Sequence, residues 1–179
     1  MVKHEAPGGE GKPVGPIVSS AHLAGGGSPA LSEIEFGLIM ASHAFQRWIV
    51  RGMAAAGVPD LSPLEVMALH AVNHRDRRKR QADLCLVLNI EDTHLVAYAV
   101  KKLERLGLVD SAIVAKEKLI GITPRGEAAC QAYRRIRENL LVGPIVAMGM
   151  EEGKLSRIAA RLRALAGQYD QAARAAASL

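Results

Sequence analysis

Aromatic residues are scarce: Phe, Trp and Tyr together make up 3% of the 179 residues, against a hydrophobic fraction of 49%. A core must therefore be assembled from Leu, Ile, Val, Ala and Met, a palette that favours helices. Cysteine is nearly absent. Cys85 and Cys130 are the only two, and both fall in apolar helical patterns, which suits a reducing cytoplasm. They read as small core residues. A redox-sensing pair is the alternative, and it requires an exposed, electropositive setting. No uninterrupted run of about 18 apolar residues occurs, so no membrane span is expected. The N-terminal stretch lacks the charged-then-apolar pattern of an export signal, so a cytoplasmic protein is expected. Catalytic spacings are missing as well. There is no Cys-x-x-Cys pair, no Gly-x-x-x-x-Gly-Lys-Ser/Thr phosphate loop, and no Ser or Cys nucleophile with an identifiable base. The expectation is a protein that is not an enzyme, with no metal site and no cofactor.

What the chain does have is an uneven positive charge. The formal net charge is +5. Residues 1–73 hold four Lys/Arg against six Asp/Glu, residues 74–125 eleven against seven, and residues 126–179 eight against five. The basic excess thus begins abruptly in the middle of the chain, a distribution that points to a polyanionic partner more strongly than the total does.

Residues 1–30 are rich in Gly, Pro and Ser and read as a flexible tail. Ser32 and Glu35 make a capping-box pattern, followed by an apolar stripe Ile34, Leu38, Ala41, Phe45 and Trp48 that predicts a helix ending near Gly57. Ser62-Pro63-Leu64-Glu65 repeats the start signal, with Ser as N-cap, Pro first in the helix and Glu third. That helix should reach about Asn73. A basic connector, 74–80, leads to a helix at about 81–88, a turn at 89–92 and a further helix from Thr93 to Leu106 stopped by Gly107. Two short β segments, 108–114 and 118–122, follow with Lys116-Glu117 at their tip. Thr123-Pro124 opens another helix, which Gly143-Pro144 should break. The last helix, about 151–176, carries Leu155, Ile158, Leu162, Leu165 and Tyr169 at alternating three- and four-residue spacing, a heptad-like seam.

Two short helices joined by a tight turn and followed by a short basic β-hairpin describe a winged helix-turn-helix. The second helix of such a pair fits the major groove of double-stranded DNA. The hairpin reaches neighbouring phosphates, and the surrounding cations supply the counterion-release term in affinity. The expected fold is mostly α with a small β-hairpin wing, a winged helix-turn-helix over 61–123. Long dimerisation helices at 31–60 and 124–179 flank it.

The block Ala82-Asp83-Leu84-Cys85, then Asn89 through Leu108-Val109, resembles the MarR family, as does Leu119-Ile120-Gly121-Ile122-Thr123-Pro124-Arg125-Gly126. In that family a V-x-x-L-E-x-x-G-L-V stretch ends the recognition helix and an L-T-x-x-G stretch leaves the wing. Helix order extends the resemblance from Glu33 to the C-terminus, while the residue-level match is confined to 82–126. The resemblance implies a homodimer acting on a pseudo-palindromic operator and controlled by a small aromatic or phenolic effector. Such an effector would bind between the dimerisation and DNA-binding parts. Two departures stand out. The family's wing usually carries arginine in an Asp-x-Arg pattern, whereas 111–118 here contains none. Asn89 also occupies a turn position where Gly is common, and Asn tolerates the left-handed conformation needed there.

Within the recognition helix, Leu95, Val96, Ala99, Val100, Leu103 and Leu106 read as the apolar face. Thr93, His94 and Tyr98 are the base-reading candidates, and Lys101, Lys102 and Arg105 the phosphate candidates. Arg77, Arg78 and Arg80 in the connector are further DNA candidates, since they precede a helix N-terminus. Lys116 and Lys118 are the wing's only cations. His43, Arg47 and Trp48 are candidates for the effector, with Arg47 pairing an anion. Against this stands the alternative of a winged-helix interaction or adaptor module that does not touch DNA.

Overall fold

The computed structural model describes residues 28–75 and 77–179. All but the last three residues of the expected 1–30 tail lie outside these. The described residues divide into two units, the first ending at Arg47 and the second running Trp48–Leu179. The first helix, α1 (Pro29–Ala55), runs through the division between them. Its start differs from the expected cap at Ser32. The Ser28 carbonyl already accepts the Leu31 and Ser32 N–H groups, because Pro29 has φ preset for a first helical position. In the first unit Ile34, Ile39, Met40 and Phe45 remain about half exposed.

The second unit holds the core. After α1 ends, α2 (Pro63–Asn73) begins with a complete capping box. The Ser62 N–H donates to Glu65 Oε2 at 2.7 Å and the Glu65 N–H to Ser62 Oγ at 3.3 Å, satisfying two otherwise orphaned donors. A two-residue strand β1 (Lys79–Arg80) leads into α3 (Gln81–Leu88). Asn89 closes α3 in the left-handed region at φ 53, ψ 47, as its residue type allows. Asp92 then caps α4 (Thr93–Arg105) through the His94 N–H at 2.9 Å. Gly107 (φ 66) ends α4 in a Schellman motif, with Leu108 N–H bonded to the Leu103 carbonyl and Gly107 N–H to that of Glu104.

Strands β2 (Val109–Val114) and β3 (Glu117–Ile122) form the wing. The sheet is antiparallel in the order β1-β3-β2, and the register runs from Val109 opposite Ile122 to Val114 opposite Glu117. The turn is therefore Ala115-Lys116, one residue earlier than the expected Lys116-Glu117 tip. Both turn residues have positive φ (50 and 69), the backbone of a type I′ hairpin turn.

Helix α5 (Pro124–Arg137) starts at Thr123, whose Oγ1 accepts the Gly126 N–H at 3.1 Å and donates to the Gly107 carbonyl at 2.7 Å. Gly126 is needed for a steric reason. A Cβ there would lie 2.0 Å from the Leu108 carbonyl oxygen. The T-x-x-G pattern thus seats α5 directly on the entrance to β2.

Gly143-Pro144 does not break the helical path. A π turn, Glu138–Val142, passes into a short helix α6 (Gly143–Ala147). The wider turn accommodates a proline that has no N–H to give, and the path ends instead at Gly149 with φ 75. Helix α7 (Glu152–Ala176) has no buried residue. Ile49, Met53, Val66, Leu69, Leu84, Val96, Leu103, Leu108 and Ile120 meet in one core, each stabilising the fold by roughly 1.5–3 kcal/mol when fully buried. No helix among the described residues is long and apolar enough to cross a membrane.

Candidate nucleic-acid interface

Helix α4 is divided sharply between two faces. Val96, Ala99, Val100 and Leu103 are buried. At about 100° per residue, His94, Tyr98, Lys101 and Arg105 fall on the side directly opposite, and all four are exposed. Tyr98 is 72% exposed, a high value for a ring that the fold could have covered. Leu95, read from the sequence as part of the apolar face, is 49% exposed. It stands about a quarter turn from the centre of the buried stripe, which is the reason the core does not reach it. Thr93 is exposed at the first position of α4, and its carbonyl accepts Gln81 Nε2 at 2.9 Å, joining the two helices of the pair.

The cations divide into engaged and unengaged groups. Lys102 is tied to α2, with Nζ 2.8 Å from Glu65 and 2.6 Å from the Asp60 carbonyl. Lys118 pairs with Glu104 at 3.0 Å. Burial raises the Glu104 carboxyl, but Ser111 and Lys118 outweigh it and hold the group below its ordinary range. Arg80 donates to Asp83 through Nε and Nη2 and lies 3.8 Å from Glu117. The Arg80 hydrogen bonds hold the Asp83 carboxyl below its ordinary value. Arg78 pairs with Asp110 at 2.8 Å. Among the described residues, Arg77, Lys101, Arg105 and Lys116 form no ion pair. Lys116 sits at the wing's turn. Tyr98, Lys101, Lys102, Arg105 and Glu65 line a shallow depression of about 370 Å³ beside the outer face of α4.

Residues 61–126 match the winged helix DNA-binding domain family. Solved structures align over most of their own length. The MarR family regulator NMB1585 from Neisseria meningitidis is 16% identical with TM-score 0.64, covering 79% of this chain and 94% of its own. The Staphylococcus aureus MepR-DNA complex is 17% identical with TM-score 0.60, covering 75% and 95%. CouR from Rhodococcus jostii RHA1, bound to p-coumaroyl-CoA, is 18% identical with TM-score 0.60, covering 78% and 96%. No curated protein matches the sequence. This chain has the MarR-family winged-helix fold.

Within that fold, α4 is the second helix of the helix-turn-helix pair and β2-β3 form the wing. The Asp-x-Arg pattern is present only as Asp110-Ser111-Ala112, and the arginine meeting Asp110 comes from the connector instead.

Of the effector candidates, His43 and Arg47 belong to the first unit and are exposed. Trp48 begins the second unit and is half-buried, its ring 6.2 Å from that of Tyr133. A cavity of about 220 Å³ that the sequence reading missed lies between α2 and α5, lined by His70, Cys130, Tyr133, Arg134 and Arg137. The His70 ring meets that of Tyr133 at 4.8 Å, tilted by 57°, and its Nε2 is buried with no hydrogen-bond partner among the described residues. Burial, and then Arg134, lowers the His70 pKa. Burial pushes the Cys130 thiol up to about 11, so it carries little thiolate at neutral pH. The cluster Arg134, Arg135, Arg137 was a visible signal for this site, but its distance in sequence from His70 hid the pairing. His70 and His74 are four apart, yet α2 ends at Asn73 and His74 is extended (φ −73, ψ 128), so they share no helical face. No metal-binding group of three occurs among the described residues.

Proposed function

We propose that this chain is a transcription regulator that binds double-stranded DNA sequence-specifically as a homodimer. The observation that carries the reading is the outer face of α4. His94, Tyr98, Lys101 and Arg105 form one exposed stripe opposite the core, a combination of base-edge donors and phosphate-binding cations suited to the major groove. In this reading 61–123 contact DNA, and 31–60 with 124–179 form the dimer. Thr93, His94 and Tyr98 approach base edges. Lys101, Arg105, Arg77 and Lys116 meet phosphates, while Lys102, Lys118, Arg78 and Arg80 contribute their field from paired positions. The MepR-DNA complex, which has the same fold, supports DNA as the partner.

Homodimerisation is supported by α7, whose seam residues Ile158 and Leu162 are each 44% exposed. Control by a small ligand is supported by the α2-α5 cavity and by CouR, whose structure holds p-coumaroyl-CoA. Arg134 and Arg137, which line that cavity, are its proposed anion partners; His43, Arg47 and Trp48 are kept as a separate set of proposed effector residues.

The test is selection from a random DNA pool, followed by affinity measurement across salt. The expected result is an enriched inverted repeat whose affinity falls steeply with salt. Lys101→Glu should lower that affinity at least about tenfold and flatten the salt slope by roughly one or more per copy. Thermal stability should move by less than about 0.5 kcal/mol. Lys101 makes the cleaner variant, because Lys102→Glu would also set two carboxylates together at Glu65. The adaptor reading draws on Leu86 and Val87 of α3, which are 81% and 72% exposed. It predicts no enriched sequence and a partner interaction unaffected by Lys101→Glu.

A further inference from the structure

Arg78 has the sequence position of a phosphate contact, but its guanidinium is already occupied by the wing. Nη1 lies 2.8 Å from Asp110 Oδ1 and Nη2 donates to Asp110 Oδ2 at 3.1 Å, a two-pronged pair with β2. Nη1 also donates to the Leu119 carbonyl of β3 at 3.4 Å. One side chain thus bridges both strands of the wing. The wing has a matching vacancy. Gly121 stands opposite Asp110 in the ladder, and a Cβ there would come within 3.0 Å of both the Arg78 guanidinium carbon and Asp110 Oδ1.

The segment carrying Arg78 is itself anchored. The next residue, Lys79, is buried, and its ammonium donates to the Val72 carbonyl in α2 at 3.1 Å and to the Arg77 carbonyl. Lys79 and Arg80 pair with Ile120 and Leu119 as β1. Arg80 reaches Glu117, and Lys118 reaches Glu104 of α4. The wing is therefore mounted on α2, α3 and α4 together.

We propose that Arg78 is a positioning residue, which sets the wing against the recognition helix through Asp110 and Leu119 and is not a phosphate ligand. Ala112 stands where the Asp-x-Arg pattern would put arginine, so the cation that meets Asp110 is supplied from the connector. The DNA part of this proposal rests on the regulator reading; the wing part does not.

The experiment uses the full chain with Arg78→Ala, Arg78→Lys, Asp110→Ala and the double Arg78→Ala/Asp110→Ala. Circular dichroism melting confirms that each is folded. Amide hydrogen exchange across 109–122 reads the mount directly. Affinity for the selected DNA is measured across salt, with Lys101→Ala as the slope control. The expected result is that Arg78→Ala and Asp110→Ala both speed wing exchange about tenfold or more. Both should weaken DNA binding to a similar degree with the salt slope unchanged, and the double variant should be no worse than either single. Arg78→Lys should behave like Arg78→Ala, because an ammonium lacks the planar fork that spans carboxylate and carbonyl.

A different pattern overturns the proposal. Asp110→Ala could tighten DNA binding, Arg78→Ala could flatten the slope by about one per copy, and Arg78→Lys could bind as the wild type does. Those are the marks of a phosphate ligand. Unchanged wing exchange in both single variants overturns it too. If the wild-type chain binds no DNA, the regulator reading fails, and hydrogen exchange alone decides the role of Arg78.

Discussion

Single residues carry two constraints that are independent of any partner. Gly126 has no room for a methyl group, since the Leu108 carbonyl oxygen would be 2.0 Å away and Ile122 Cδ1 2.7 Å away. The nearest atom belongs to backbone that is itself bonded to Thr123, so it cannot step aside cheaply. Gly126→Ala should cost roughly 1–3 kcal/mol, at the upper end of that range for overpacking, as read from urea unfolding. His70 is constrained electrically. Burial, followed by Arg134, lowers its pKa from the ordinary 6.5. The unfolded chain then takes up the proton as pH falls below 6.5 while the folded chain still excludes it, so stability falls over that interval. The charged groups around it are Arg134, Arg137 and Glu138 on the facing side of the cavity. The urea midpoint should drop between about pH 7.5 and about pH 5.5, and His70→Phe, which keeps a ring against Tyr133, should remove part of the drop.

At the level of elements, the wing is the segment in which local sequence and local structure disagree. A type I′ turn favours Asn-Gly because both central residues need positive φ. Here Ala115 and Lys116 adopt φ 50 and 69 without the help of either residue type, at a cost of about 1–2 kcal/mol for each. Ala115→Asn keeps the Lys116 charge and suits the backbone. It should stabilise the chain by up to about 1 kcal/mol and slow amide exchange at the tip. Loss of stability in this variant would mean that the turn is not of this type. The caps present the opposite case. Ser62, Asn89, Asp92, Gly107 and Thr123 were all legible in sequence as helix boundaries, because each acts through hydrogen bonds or backbone torsions within a few residues of itself. Ser32 failed as a cap because Ser28, four residues upstream, starts the helix first with Pro29 in place behind it. The expected break at Gly143-Pro144 failed because a π turn lets the helical path continue through proline.

At the scale of the whole molecule, the long α7 leaves Ile158 and Leu162 of its seam nearly half exposed. Ile158→Glu with Leu162→Glu places charge in the middle of that seam. If α7 joins two copies, the wild-type chain should sediment as a dimer and this variant as a monomer of unchanged helicity. DNA affinity should also drop, since each copy would then engage a single half-site. A wild-type chain that sediments as a monomer at micromolar concentration would remove α7 from the dimer. Two copies also double the number of unengaged cations. The salt slope should therefore be about twice that of the separated variant.

The sequence by itself determined the order of the main helices and the hairpin but not β1 or α6, most of the helix ends, the left-handed Asn89 turn and, Leu95 apart, which face of α4 points outward. These follow from periodicity and from hydrogen bonds that span only a few residues, so a linear reading reaches them. Tertiary structure alone decided which cations are engaged. Lys79 is buried by carbonyls of α2 and its own connector, Arg78 finds Asp110 across 32 residues, and Lys102 finds Glu65. It also decided the α2-α5 cavity, where His70 meets Tyr133 and Arg134. Charge pairing depends on where distant segments come to lie, and a basic run has the same composition whether its side chains face phosphate or carboxylate.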